Sequence, residues 1–258
     1  MGQELTTMCA CFDCVKELGQ EVDMQHLDSM KIVINSENNS DEIEGFAYSD
    51  ITACFDSIEE QFKALISEGS TGYDVIVDKD NCKVLSKEAP DGYILKYSWN
   101  IPYSAEKFKD FMSKPEMRKT WDGNVETNQV VGRYRETESI MYTKYKKFLT
   151  FDPRETLAYT KTIQLFGNIA DITYSVESEK FPVQNGVVRV KLYVAGMYIE
   201  KIDPDESGNI TRVTCLSHMD IGLPKNLNNI ARKFAGTTIP PITKKIVTQL
   251  KKYVESQQ

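Results

Sequence analysis

Nine runs with strand character fill the chain between Tyr73 and Asp220. Three come first: Tyr73–Val77, Cys82–Lys87 and Tyr93–Ile101, separated by Asp-Asn and Pro-Asp-Gly turns. Six follow: Asn124–Arg133, Glu136–Tyr145, Arg154–Gln164, Asn168–Ser178, Val187–Ile202 and Ile210–Asp220. The fifth of these alternates with period two, with Val188, Val190, Leu192 and Val194 on one face and Arg189, Lys191 and Tyr193 on the other.

Helical patterns flank and interrupt these runs. Asp50 is placed to cap a helix in which Ile51, Cys54, Phe55, Ile58, Phe62, Leu65 and Ile66 share a face, ended by Gly69 and Gly72. Ser104 caps a second helix reaching Met112, and Pro115–Trp121 forms a short third piece. The chain closes with a helical pattern over Pro224–Phe234, a break at Gly236–Pro241, and a face of Ile242, Ile246, Val247, Leu250 and Val254.

This order predicts an α+β fold: a long antiparallel sheet bending around the C-terminal helix, which buries the apolar surfaces of both. So many strands curl, leaving a concave side that one helix cannot fill. Such a gap invites a ligand. The alternative is an α+β sandwich with a packed core. The polar stretch 35–44 reads as a linker, dividing an N-terminal extension, 1–48, from a domain at 49–258.

Composition removes several function classes. A net charge of -7 with only short basic runs argues against a nucleic-acid partner. No apolar run approaches the ~20 residues that cross a bilayer, and no secretory signal is visible at the N-terminus. The six unevenly spread cysteines read as reduced thiols of a cytoplasmic chain. Two histidines, neither with a metal-ligand partner at helical spacing, leave little room for zinc. There is no Gly-rich phosphate loop, nucleophile-elbow serine or paired-carboxylate signature, so neither catalysis nor a cofactor is expected.

Four segments carry a family resemblance: Met117–Asp122 (Met-Arg-Lys-Thr-Trp-Asp), Gly186–Val190, Gly196–Ile199 and Met219–Asn228. In this order and spacing, from about Ser49 to Tyr253, they resemble the START domain, the steroidogenic-acute-regulatory-related lipid-transfer family. The resemblance implies a helix-grip fold with an internal lipid tunnel, and transfer of one phospholipid, sterol or ceramide-like lipid between membranes. It implies a lipid ligand, a transient membrane partner and a monomer. An acyl chain in a dry tunnel gains about 0.8 kcal/mol per buried CH2, and polar groups at the tunnel's end select the headgroup.

Carried onto this chain, Arg118 matches a phosphate-contacting arginine, whose planar fork suits a phosphate; otherwise it is a solvated residue beside Lys119. Arg189 either faces inward to meet an acidic or lipid group, or makes a surface ion pair. Tyr193 matches one position of the aromatic cage of choline-binding members. The other cage positions fall near Met141 and Thr156, which are not aromatic, although Tyr142, Tyr145 and Tyr159 are close in sequence. Trp121 and Asp122 read as structural, the ring packing the short helix and the carboxylate making a cap or turn.

Phe148, Leu149 and Phe151, beside Lys146 and Lys147, suit a flap entering the membrane interface. Lys244 and Lys245, with Lys251 and Lys252, suit anionic headgroups. Met1-Gly2 followed by Thr6 fits the myristoylation pattern, and Cys9, Cys11 and Cys14 are candidate palmitoylation sites. An acyl anchor would favour a second function, a peripherally membrane-associated lipid sensor that regulates a partner protein.

Overall fold

Asp80 and Asn81 both take positive φ, 53° and 59°, turning the chain from β3 (Asp74–Lys79) into β4 (Cys82–Ala89). Two successive left-handed residues give a turn whose twist matches an antiparallel pair, and Asp and Asn tolerate it at small cost. Asn81 ties this turn to β5 (Gly92–Ile101): its Nδ2 donates to the Asn100 carbonyl at 2.8 Å. Phe166 and Gly167 repeat the device, with φ of 50° and 77°, between β8 (Arg154–Leu165) and β9 (Asn168–Ser175).

The computed structural model describes residues 42–147, 152–202, 210–223 and 228–257. The remaining strands are β1 (Glu42–Ile43), β2 (Phe46–Ala47), β6 (Val125–Arg135), β7 (Glu138–Tyr145), β10 (Val188–Arg189), β11 (Lys191–Lys201) and β12 (Thr211–Asp220). Ten of the twelve form one curved open sheet, ordered β3-β4-β5-β12-β11-β9-β8-β7-β6, with β10 added in parallel to β8. Every other pairing is antiparallel.

The convex face carries large apolar residues, Leu157, Tyr159, Ile172 and Tyr174 among them. It is covered by α1 (Tyr48–Thr52) and α2 (Phe55–Ser67), whose Ile51, Phe55 and Phe62 are buried there. The single helix predicted from Asp50 is thus two, parted at Ala53–Cys54. The β1–β2 hairpin packs beside them: Tyr134 donates to the Phe46 carbonyl at 2.9 Å, and Ile43 lies where Gly132 lacks a side chain. The folded body therefore reaches at least to Glu42, ahead of residue 49.

The concave face receives α3 (Ala105–Met112), a 3-10 turn (Pro115–Met117), α4 (Arg118–Trp121) and the terminal α5 (Asn228–Glu255). Ser104 caps α3 as predicted, accepting from the Lys107 amide. The break predicted at Gly236–Pro241 is absent: α5 runs through Pro240 and Pro241. Each proline forfeits a backbone hydrogen bond, but Ile239, Thr243, Ile246 and Leu250 are buried on both sides of the pair. Burial of that face outweighs the local loss. Thr243 Oγ1 also donates to the Pro240 carbonyl at 2.9 Å.

The alternation read over Val188–Val194 fails at a β-bulge between Leu192 and Val194. Val190 and Leu192 face the space under α5, whereas Val194 is buried in the convex core. One extra residue in a strand moves the following side chains to the other face.

Candidate functional site

Between the concave face and the helices lies a cavity of about 980 Å³. Ile239, Ile242 and Ile246 of α5 and Phe111 of α3 contribute apolar surface, met from the sheet by Trp99 and Met197. The wall made by β7, β8 and β9 is different. Thr143, Thr156, Thr160, Thr162 and Thr173 face the cavity, alternating on β8 with the buried convex residues Leu157 and Tyr159.

Two of the ion pairs among the described residues have both members in this lining. In the first, Arg118 Nη2 donates to Asp122 Oδ2 at 2.8 Å, one helical turn away. Asp122 is buried, and its Oδ1 accepts from the Asn124 amide at 3.3 Å, so one carboxylate both closes the turn and holds the guanidinium. The guanidinium carbon lies 4.2 Å from the centre of the Trp121 ring. Burial opposes the charge on Arg118, but Asp122, with Tyr145 and Tyr97 nearby, more than offsets this and raises its pKa. Arg118 Nε is buried without an acceptor, and the uncovered third of the side chain faces the cavity. An aromatic ring does meet a cation here, but the cation is the protein's own.

In the second pair, Lys109 Nζ of α3 donates to Asp171 Oδ1 of β9 at 2.5 Å and to Thr162 Oγ1 of β8 at 3.0 Å. The residues are far apart in sequence, and neither was singled out there. The legible signal was the period-two row Thr156, Ala158, Thr160, Thr162: small and mostly hydroxylated on one face, bulky on the other.

The other candidates divide by face. Arg118, Met141, Thr156 and Tyr145 line the cavity; Tyr142, Tyr159, Arg189 and Tyr193 do not. Arg189 Nε donates to the fully buried Glu155 at 2.8 Å, and Nη2 donates to the Phe181 carbonyl at 3.1 Å. Tyr142 donates to the other Glu155 oxygen at 2.7 Å. Neither reading of Arg189 holds as stated: its partner is acidic and lies across the strands, but the pair is off the cavity and is buried instead of at the surface. Tyr159 lies in the convex core and donates to Glu138 at 2.8 Å. Tyr193, displaced by the bulge, packs on His218 with ring centres 4.8 Å apart. Burial pushes the His218 pKa down, against the opposing effect of Asp91.

Lys244 and Lys245 are exposed on α5, with Lys244 paired to Asp80 at 3.2 Å. Phe148, Leu149, Phe151, Gly2, Cys9, Cys11 and Cys14 lie outside the described residues. Among the described residues, no group of three His, Cys, Asp or Glu side chains could hold a metal ion. No helix there is long and apolar enough to cross a membrane.

A curved antiparallel sheet gripping a terminal helix over a ligand-sized cavity defines a helix-grip protein. The START domain family model matches residues 72–256, and the chain belongs to that family. Among solved structures, the chain is similar to human STARD10, with a TM-score of 0.67 and 20% identity over 78% of this chain and 82% of that one. It is similar also to human StAR-related lipid transfer protein 5, with a TM-score of 0.69 and 16% identity over 80% of this chain and 99% of that one. The lipid transfer and protein localization domain of human StarD13 gives a TM-score of 0.59 at 16% identity, covering 76% and 96% of the two chains. No curated protein matches the chain significantly in sequence.

Proposed function

We propose that this protein binds one lipid in the cavity beneath α5 and carries it between membranes without covalent chemistry. The observation behind this reading is the cavity of about 980 Å³, with an apolar roof of isoleucines set against a threonine-rich wall that also carries charged side chains. Ligand pockets measure roughly 300–1,000 Å³, and an apolar roof over a polar wall matches the two ends of an amphiphile. Membership of the START family and the likeness to a protein named for lipid transfer support the same reading.

The headgroup contact we assign is Arg118, which lines the cavity with about a third of its side chain uncovered. An anionic oxygen, that of a phosphate above all, suits the guanidinium N–H groups that Asp122 does not use. A choline cage is disfavoured, because Tyr193 lies off the cavity and the Trp121 ring is already taken by the Arg118 guanidinium. A monomeric carrier in the cytoplasm, meeting membranes only transiently through Lys244, Lys245 and the segment 146–153, fits this account.

The test is mass spectrometry of lipid extracted from purified protein, followed by transfer of a fluorescent phospholipid between vesicles. Ala158→Trp places an indole in the cavity wall and is expected to abolish uptake while the protein stays folded. A folded wild-type protein that is empty and takes up no lipid defeats the proposal. The pattern at Gly2 and Thr6, with Cys9, Cys11 and Cys14, supports a second reading as an anchored lipid sensor. Metabolic labelling with a myristate analogue, with and without Gly2→Ala, separates the two.

A further inference from the structure

Lys109, Asp171 and Thr162 form a polar centre in the cavity wall that is separate from Arg118. An ammonium has three donors, and Lys109 spends two, on Asp171 Oδ1 and Thr162 Oγ1. Thr162 also donates to Asp171 Oδ1, at 2.7 Å. Both bonds fall on the same carboxylate oxygen, which leaves Oδ2 as an acceptor. Although Asp171 is buried, 24% of the Lys109 side chain stays uncovered where it lines the cavity. One donor and one acceptor thus remain beside each other.

The neighbouring rung of the sheet extends this centre. Thr160 stands opposite Thr173, as Thr162 does opposite Asp171, and the two hydroxyls are 3.0 Å apart. Strand propensity does not explain these hydroxyls, because valine has the same branched shape and suits a strand as well. Thr160 and Thr173 bond each other and Thr162 bonds Lys109 and Asp171, and a hydroxyl oxygen so bonded keeps a further acceptor position. The row therefore matches polar, not hydrocarbon, contents at this part of the wall.

The charge arrangement selects the kind of group. A ligand anion would meet Asp171, and a ligand cation would meet Lys109. A hydroxyl accepts from the remaining Lys109 N–H while donating to Asp171 Oδ2, so it uses both halves of the pair at once. We propose that Lys109 and Asp171, with Thr160, Thr162 and Thr173, form a subsite that recognises a free hydroxyl on the bound lipid. This rests on the lipid-carrier reading and adds to it a selection for hydroxyl-bearing lipids. A polyol phospholipid headgroup and a sterol hydroxyl share this chemistry.

Two matched probe pairs isolate the hydroxyl. Dioleoylphosphatidylglycerol and dioleoylphosphatidylpropanol have the same chains and charge but differ in headgroup hydroxyls. Cholesterol and its methyl ether differ in one hydroxyl proton, with a methyl in its place. Each is offered in vesicles to the full chain as a competitor of a fluorescent lipid. The wild type is expected to prefer the hydroxylated member of at least one pair by about tenfold or more, since a site built to bond a hydroxyl rejects the analogue lacking it. The pair that discriminates identifies the source.

Lys109→Met/Asp171→Leu removes both charges together, a change that buried pairs often tolerate, and is expected to erase the preference while uptake of the other member persists. Thr160→Val/Thr173→Val, nearly isosteric, provides a second folded variant in which the preference falls several-fold. Equal uptake of both members of both pairs by the wild type overturns the subsite and leaves the carrier reading standing. A preference that survives both variants places the hydroxyl elsewhere and also overturns it. Uptake of no lipid by the wild type defeats the carrier reading itself.

Discussion

Arg118 is bound to Asp122 at 2.8 Å through Nη2, yet its Nε, buried in the same wall, has no acceptor. The pair is thus complete as a structural element and incomplete as a hydrogen-bonding one. Asp122→Ala leaves the guanidinium without its carboxylate and is expected to cost about 1–3 kcal/mol, read by chemical denaturation. Arg118→Lys keeps a charge but loses the fork. It is expected to weaken phospholipid uptake about tenfold while sterol uptake changes little; equal loss of both would count against a phosphate contact.

Arg189 belongs to the scaffold. Its partner Glu155 is wholly buried and bonded also to Tyr142. Arg189→Ala strands that carboxylate, and removing one member of a buried pair costs about 3–5 kcal/mol. The expected result is a lower denaturation midpoint with unchanged lipid preference in the protein that remains folded.

Acid sensitivity should trace in part to Glu138. Burial works to raise its carboxyl, but hydrogen bonds from Tyr159, Tyr48 and Lys161 outweigh that and hold its pKa below the usual range. A carboxylate depressed on folding stabilises the protein above its unfolded pKa, about 4.3, and that contribution is lost as pH falls through the folded value. Denaturation midpoints between pH 7 and pH 3 should therefore fall less steeply at the acid end in Glu138→Gln. The substitution should also lower stability at pH 7.

Tyr193 offers a check on headgroup recognition. Its ring rests on His218 and does not line the cavity. Tyr193→Ala is expected to leave phosphatidylcholine uptake within about twofold of wild type, the scale of a residue that touches no ligand. A loss of tenfold or more would place the ring in the binding site.

Much of the sheet was legible because its signals are local. Turn residues such as Asp80-Asn81 and the alternation along β8 depend on neighbours a few positions away. The two main departures have distant causes. The bulge at Tyr193 depends on how β11 pairs with β12, and the continuity of α5 depends on what Ile239 and Ile246 pack against. Arg118 was recoverable from a motif. Lys109 and Asp171 were not, because nothing near either residue in the chain marks the other.

The amino-acid sequence by itself determined the order of the main elements, the hairpin turns and the family. Backbone propensity and side-chain alternation act over short distances, so they survive reading in one dimension. Only the tertiary structure decided which face of each strand looks into the cavity, because that follows from sheet curvature, a single bulge and the seat of α5. It alone placed Tyr142, Tyr159 and Arg189 behind the wall and joined Lys109 to Asp171 across 62 positions of chain. Charges that distant in sequence meet only where folding has closed the intervening loop.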